Sequence, residues 1–237
     1  MAAVARVRRA VAVATDRRAV IESGEAVLIA CSGGPDSTAM LDALTRLAPP
    51  RGWRLCVAHI DHGLREGSAS EADVVASLAE ARGLPFRAIR VAVEPGGSLQ
   101  DQARNARHTA LKAEAARIGA SVIALGHTAD DQAETVLMRL LAGASPAGLP
   151  AMAERERGLV RPILRVWRDA TAAYCAALGI EPVIDPSNAD PRFLRSRVRH
   201  EVMPALEAVF PGARRRLVVL ADRQRRLMNA ARETVSP

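Results

Sequence analysis

Apolar residues gather along this chain in short runs separated by longer stretches of helical period. Runs rich in Val, Ile, Leu and Ala cover 26–31, 54–60, 85–93 and 120–126, each of strand length. Between the first two, Met40, Leu41, Leu44 and Leu47 share one helical face, and Pro49-Pro50 ends that helix. The next spacer opens with Ser70-Glu71-Ala72-Asp73, which reads as a capping box, and carries Val74, Val75 and Leu78 to a stop at Gly83. A third helix is expected from 98 to 119, and the first 18 residues read as an amphipathic helix. Strands alternating with helices make βαβ units, so the pattern predicts a doubly wound, mostly parallel, Rossmann-like α/β sheet up to about residue 143. Ligands in such sheets collect at the carboxyl ends of the strands. Beyond, the sequence predicts a mobile loop over 144–158, a strand over 159–164 and a helix over 169–178. A further packed helix is expected, with Leu194, Val198, Val202 and Leu206 as its apolar stripe.

Composition narrows the class. At 237 residues, with 49% hydrophobic and 25% charged residues, the chain can bury a core without disulfides. Cys31, Cys56 and Cys175 stand far apart in apolar contexts and form no CxxC pair. They read as buried thiols of a reducing compartment, not as a metal site. No apolar stretch approaches bilayer length, so the expectation is a cytoplasmic protein with no membrane partner. The formal charge of +7, carried almost wholly by arginine because Lys112 is the only lysine, points to a polyanionic partner.

The segment Ser32-Gly33-Gly34-Pro35-Asp36-Ser37 joins the first predicted strand to the first predicted helix. Two glycines let backbone N–H groups approach anionic oxygens, the helix adds its positive end, and Ser32 and Ser37 offer hydroxyls. Asp36 fits an anion site only as a Mg²⁺ ligand or a helix cap. The pattern GxxxxGK[ST] is absent, so this is not a Walker A loop.

Other polar residues fall at the same predicted sheet edge. The second strand ends in His59, Asp61 and His62, and the fourth is followed by His127, Asp130, Asp131 and Glu134. Asp130 and Glu134, four apart, share a helix face and suit either Mg²⁺ or an ammonium group. Arg104, Arg107 and His108 share a face of the third helix. Arg192, Arg195 and Arg199 share another in the tail, and both sets suit phosphate or RNA backbone.

SGGPDS matches the SGGxDS signature of the pyrophosphate-loop ATPases. Together with AHIDHGLR, ARNARH, LGHTADDQAETVLMRLL, RPIL and DPSNADPRFLRSRVR, in this order, the chain resembles the tRNA(Ile)-lysidine synthetase family over about 26–206. A tRNA thiolase, another pyrophosphate-loop enzyme, would be expected to carry CxxC cysteines. The remaining alternative is a basic tRNA-binding module without catalysis. The resemblance implies a carbon–nitrogen ligase that uses ATP and Mg²⁺ on tRNA(Ile) with a CAU anticodon. Such an enzyme adenylates the wobble cytidine and then joins free L-lysine to it.

The implied ATP site is Ser32, Gly33, Gly34, Pro35, Asp36, Ser37 and His59, with Asp36 as Mg²⁺ ligand. Asp36, His127, Asp130 and Glu134 are the implied catalytic residues, and Arg104, Arg192, Arg195 and Arg199 face tRNA or phosphate. The chain departs from the family at His108, where the family usually has Tyr, and at AGASPAGLPAM, where the family tends toward RGSGLxGL. The expected division is an adenylation domain over 1–215, then a helix or linker over 216–237 toward a further tRNA-binding domain. On this expectation the chain is a short form or a piece of a longer enzyme, and whether it makes a homodimer is left open.

Overall fold

The computed structural model describes residues 1–61, 68–91, 99–183 and 190–235. They divide into two compact units, Met1–His127 with Glu154–Ile184, and Thr128–Ala153 with Asp185–Pro237.

The first unit is built on one six-stranded sheet. Its strands are β1 (Ala26–Ala30), β2 (Arg54–Asp61), β3 (Phe86–Arg90), β4 (Val122–Leu125), β5 (Arg155–Glu156) and β6 (Leu159–Val160). The order is β3-β2-β1-β4-β6-β5, parallel throughout except for the β5–β6 pair. Consecutive βαβ crossovers run outward from β1 through β2 to β3, whereas β4 returns to the other side of β1. The order therefore reverses between β1 and β4. The loops leaving these strands diverge there, which opens the crevice that doubly wound sheets use for ligands.

Alternation along β1 explains why both faces are covered. Val27 and Ile29 point into a core shared with α1 (Ala2–Arg18), α2 (Pro35–Leu47), α3 (Ser68–Glu80) and α6 (Arg168–Ala177). Leu28 points the other way, against Leu111 and Ala115 of α4 (Leu99–Ile118). Met40, Leu41 and Leu44 are wholly buried, the face that the sequence marks. The parallel α/β architecture is thus as expected.

The second unit holds α5 (Ala129–Leu141), α7 (Leu194–Arg197), α8 (Met203–Val209) and α9 (Ala213–Val235), packed around Ala133, Leu137, Val198 and Met203. The expected stripe Leu194, Val198, Val202, Leu206 needs correction. A π-helical turn over Val198–Val202 inserts one residue, so after Val198 the next fully buried position is Met203, while Val202 and Leu194 are exposed.

Two further expectations change. The stretch 144–158 contains a 3₁₀ turn, Pro146–Gly148, and strand β5, which pairs with β6 through a tight turn. The strand expected over 159–164 stops at Val160. Pro162 has no N–H for a ladder, and the chain turns so that Leu164 N–H donates to the Arg161 carbonyl at 3.1 Å.

Candidate active site

The loop between β1 and α2 is held in shape by its own short polar side chains. Ser37 Oγ donates to the Gly34 carbonyl at 3.0 Å, accepts from Ser32 N–H at 3.2 Å and lies 3.2 Å from Ser32 Oγ. Thr38 Oγ1 closes the turn on the Gly33 carbonyl at 3.0 Å. Gly34 caps α2 and Pro35 takes its first position, so the first-turn amides lack intrahelical acceptors and present the positive end of the helix.

Two glycines are required here. Gly33 adopts φ +83°, and a Cβ on it would stand 2.8 Å from Val183 Cγ2. Gly126, just after β4, would place a Cβ 3.0 Å from Ser37 Cα, which is backbone and cannot swing aside. The strand ends are therefore drawn together at the switch point by absent side chains.

Several expected residues meet at this loop. His59, almost fully buried in β2, lies with Nδ1 3.1 Å from the Cys31 carbonyl. A carbonyl only accepts, so Nδ1 carries a proton, and of the two ring nitrogens only Nε2 can serve as an acceptor. Asp36 receives the Thr171 hydroxyl on Oδ1, and Arg168 Nε approaches Oδ2 at 3.4 Å. Cys175 Sγ donates to the Pro35 carbonyl at 3.5 Å, and burial pushes that thiol up to about 11. Cys31 is buried too, with its thiol also raised by burial, so neither cysteine offers a thiolate at neutral pH. His127 lies two residues past the end of β4, half-buried. His62 and residues 184–189, which include Asp185 to Asn188 of the DPSN motif, lie outside the described residues.

Arg104 is exposed on α4, with Arg107 and His108 beside it. Burial, and then the charges of Arg104, Arg107, Arg161 and Lys112, hold the His108 imidazole below its ordinary range. Arg161 is a buried arginine that the sequence reasoning left without a role, although its RPIL motif stood in plain view. The signal was its place immediately after a strand of the parallel sheet.

In the second unit the acidic turn of α5 is tightly partnered. Thr128 caps the helix: its N–H and its hydroxyl donate to Asp131 Oδ2 at 2.8 and 2.9 Å. Asp131 Oδ1 accepts from Arg195 and Arg199, both at 3.2 Å. Glu134 accepts Arg199 Nε at 2.9 Å and Arg195 Nε at 3.1 Å. Two carboxylates and two guanidiniums so share one hydrogen-bonded network. Asp130 faces elsewhere and takes Arg214 Nη1 at 2.9 Å. Asp130 and Glu134, the expected pair, thus bind different arginines, and Asp131 shares both of those that Glu134 holds. Arg192 pairs with Asp190 on the surface at 2.7 Å.

Comparison with known proteins gives the class first. The sequence model of the PP-loop domain matches residues 5–206. The chain is 47% identical to the tRNA(Ile)-lysidine synthase of Salinispora arenicola over 234 residues, covering 92% of this chain and 68% of that protein. It is 49% identical to the enzyme of the same name from Salinispora tropica and 46% identical to that of Thermobifida fusca. These matches cover 86% and 83% of this chain, and 62% of each relative.

The chain belongs to the tRNA(Ile)-lysidine synthase family, as its motifs led us to expect, and it spans about two thirds or less of these relatives' length. A solved structure of the U34-tRNA thiolase NcsA from Methanococcus maripaludis shares the fold, with a TM-score of 0.77 over 94% of this chain and 79% of that one, at 17% identity. Among the described residues, no helix is long and apolar enough to cross a membrane.

Proposed function

We propose that this chain carries the adenylation chemistry of a tRNA(Ile)-lysidine synthase: it spends ATP to join free L-lysine to C2 of the wobble cytidine of a CAU anticodon. The observation that carries this reading is the SGGPDS loop, a preformed amide cradle at the switch point, in a chain of that family. First, the cytidine C2 oxygen attacks the α-phosphorus and pyrophosphate leaves. Loop amides and the Ser32 and Ser37 hydroxyls then stabilise charge on the phosphates as it builds, which is positioning and electrostatics more than covalent work. Asp36 would hold Mg²⁺, which supplies charge neutralisation on the polyphosphate when bound. A carboxylate presented beside an anion cradle suits that ion, which takes one or two carboxylates and shares the phosphates.

In the second step the lysine ε-amine attacks C2, AMP leaves, and the amine proton passes to a base. His127 and His59 are the candidates, and His59 has Nε2 as its acceptor atom. Asp130, Asp131 and Glu134 are the carboxylates suited to an ammonium ion. A lysine bound at Asp131 and Glu134 takes acceptor positions now used by Arg195 and Arg199. Those two arginines, read from the sequence as RNA contacts, here neutralise acids. Arg104 with Arg161 remains suited to phosphate.

For RNA backbone, α9 supplies a better stripe. Arg215, Arg216, Arg223 and Arg226 fall on one exposed face of the helix. Among the described residues no carboxylate pairs with Arg215, Arg216 or Arg223. Incubation with CAU-anticodon tRNA, labelled lysine and MgATP tests the reading. Lysine enters the tRNA and one AMP is released per lysine; absence of label, beside an active family member as control, sinks it.

A further inference from the structure

Asp36 sits in the first turn of α2, where an aspartate ordinarily folds back onto local amides. Here its carboxylate is gripped from outside, by a helix more than 130 residues later in the chain. Thr171 is completely buried in α6, and its Oγ1 meets Asp36 Oδ1. The same hydroxyl lies 2.8 Å from the Arg168 carbonyl. One proton faces two acceptors, and the charge-assisted bond to a carboxylate is the stronger. Arg168 Nε stands 3.4 Å from the other oxygen, Oδ2.

The rest of the segment continues the grip. Cys175 donates to the Pro35 carbonyl, and Val183 N–H donates to the Gly33 carbonyl at 3.0 Å. Gly33, Pro35 and Asp36 of the loop are therefore fixed by residues of 168–183.

We propose that Thr171 is a positioning residue for Asp36, orienting its carboxylate toward the nucleotide, and that Arg168 is the counter-charge that lets this carboxylate sit beside a polyphosphate. The proposal rests on reading the loop as the nucleotide site, and it divides the labour between two side chains. Thr171 fixes one oxygen, and Oδ2 is the one that Arg168 meets. Arg168 approaches Oδ2 loosely, at a distance from which a cation shared with the phosphates displaces it. A positive charge next to Asp36 matters most when no metal shields the carboxylate from the incoming phosphates.

The test is nucleotide binding by titration calorimetry, with MgATP and with ATP in chelator, alongside thermal unfolding of each variant. Thr171→Val keeps the shape and removes the hydroxyl; it is expected to weaken MgATP about tenfold, one hydrogen bond to a charged group. Thr171→Ser restores binding to within about twofold of the parent on the same scale. In the Asp36→Asn background Thr171→Val adds less than about twofold, because the two residues act as one unit. Arg168→Gln weakens metal-free ATP more than MgATP.

The proposal is overturned if Thr171→Val leaves MgATP binding within twofold, whatever its unfolding temperature. It is also overturned if Thr171→Val weakens binding equally with and without Asp36, or if Arg168→Gln affects both forms of ATP alike. Binding requires neither tRNA nor lysine. A chain that fails to make lysidine can therefore still pass this test, and one that makes it can fail.

Discussion

Asp131 performs two tasks with two oxygens: Oδ2 closes the capping box with Thr128, and Oδ1 holds Arg195 and Arg199. Glu134 shares the arginines, so its removal leaves two guanidiniums with one acid. Glu134→Ala is expected to cost about 2–3 kcal/mol in urea unfolding, below the figure for fully buried pairs because both arginines keep partial solvent contact. Arg195→Ala then costs less in the Glu134→Ala background than in the parent.

A second network binds Asp42 to Tyr174 at 2.6 Å, Arg82 at 2.8 Å and Arg8 at 3.1 Å. Burial pushes Asp42 upward, but these three partners outweigh it and hold the carboxyl below its ordinary 3.8. A folded value below the unfolded one means that the stabilisation is present above about pH 4 and is lost as pH falls through the folded value. Stability measured from pH 5 to 2 should drop more steeply in the parent than in Asp42→Asn, and parallel curves would refute the assignment. At this scale the sequence identified the acidic turn and the arginines as chemistry-bearing. It paired Asp130 with Glu134 because helical spacing is local information, whereas the docking of arginines some 60 residues away is not.

Elements were legible in proportion to their hydrophobic signal. The inner strands β1 and β4 and the buried face of α2 are continuous apolar runs, and each stands where the pattern placed it. The two-residue strand β5 carries too few residues for any period, and a π turn leaves no mark in composition, so both escaped; β6 was expected, but ran four residues too long. On the far face of the sheet, Leu111 of α4 is 1% exposed against Leu28 and Ile123, and Leu111→Ala should destabilise by about 3 kcal/mol. The arginine stripe of α9 makes a prediction of its own kind. Replacing Arg215, Arg216, Arg223 and Arg226 with alanine should weaken tRNA about equally across sequences. It should also make the slope of log affinity against log salt shallower by about 2–4. An unchanged slope would remove α9 from the RNA surface.

At the scale of the whole molecule, a charge of +7 in an arginine-rich chain suits a polyanionic partner, and the names of its relatives contain one, tRNA. Gly126 shows how little slack the design leaves. Gly126→Ala pushes a methyl group into the Ser37 backbone and should weaken ATP binding at least tenfold with the sheet intact by circular dichroism. The grip of α6 on the phosphate loop has a last consequence, for synthesis. Residues 32–37 leave the ribosome early, yet the hydroxyl that holds Asp36 is translated 135 residues later. The nascent chain thus carries the complete SGGPDS motif through most of its own production without the helix that holds Asp36; on the proposal above, the site is whole only once nearly the entire first unit has emerged.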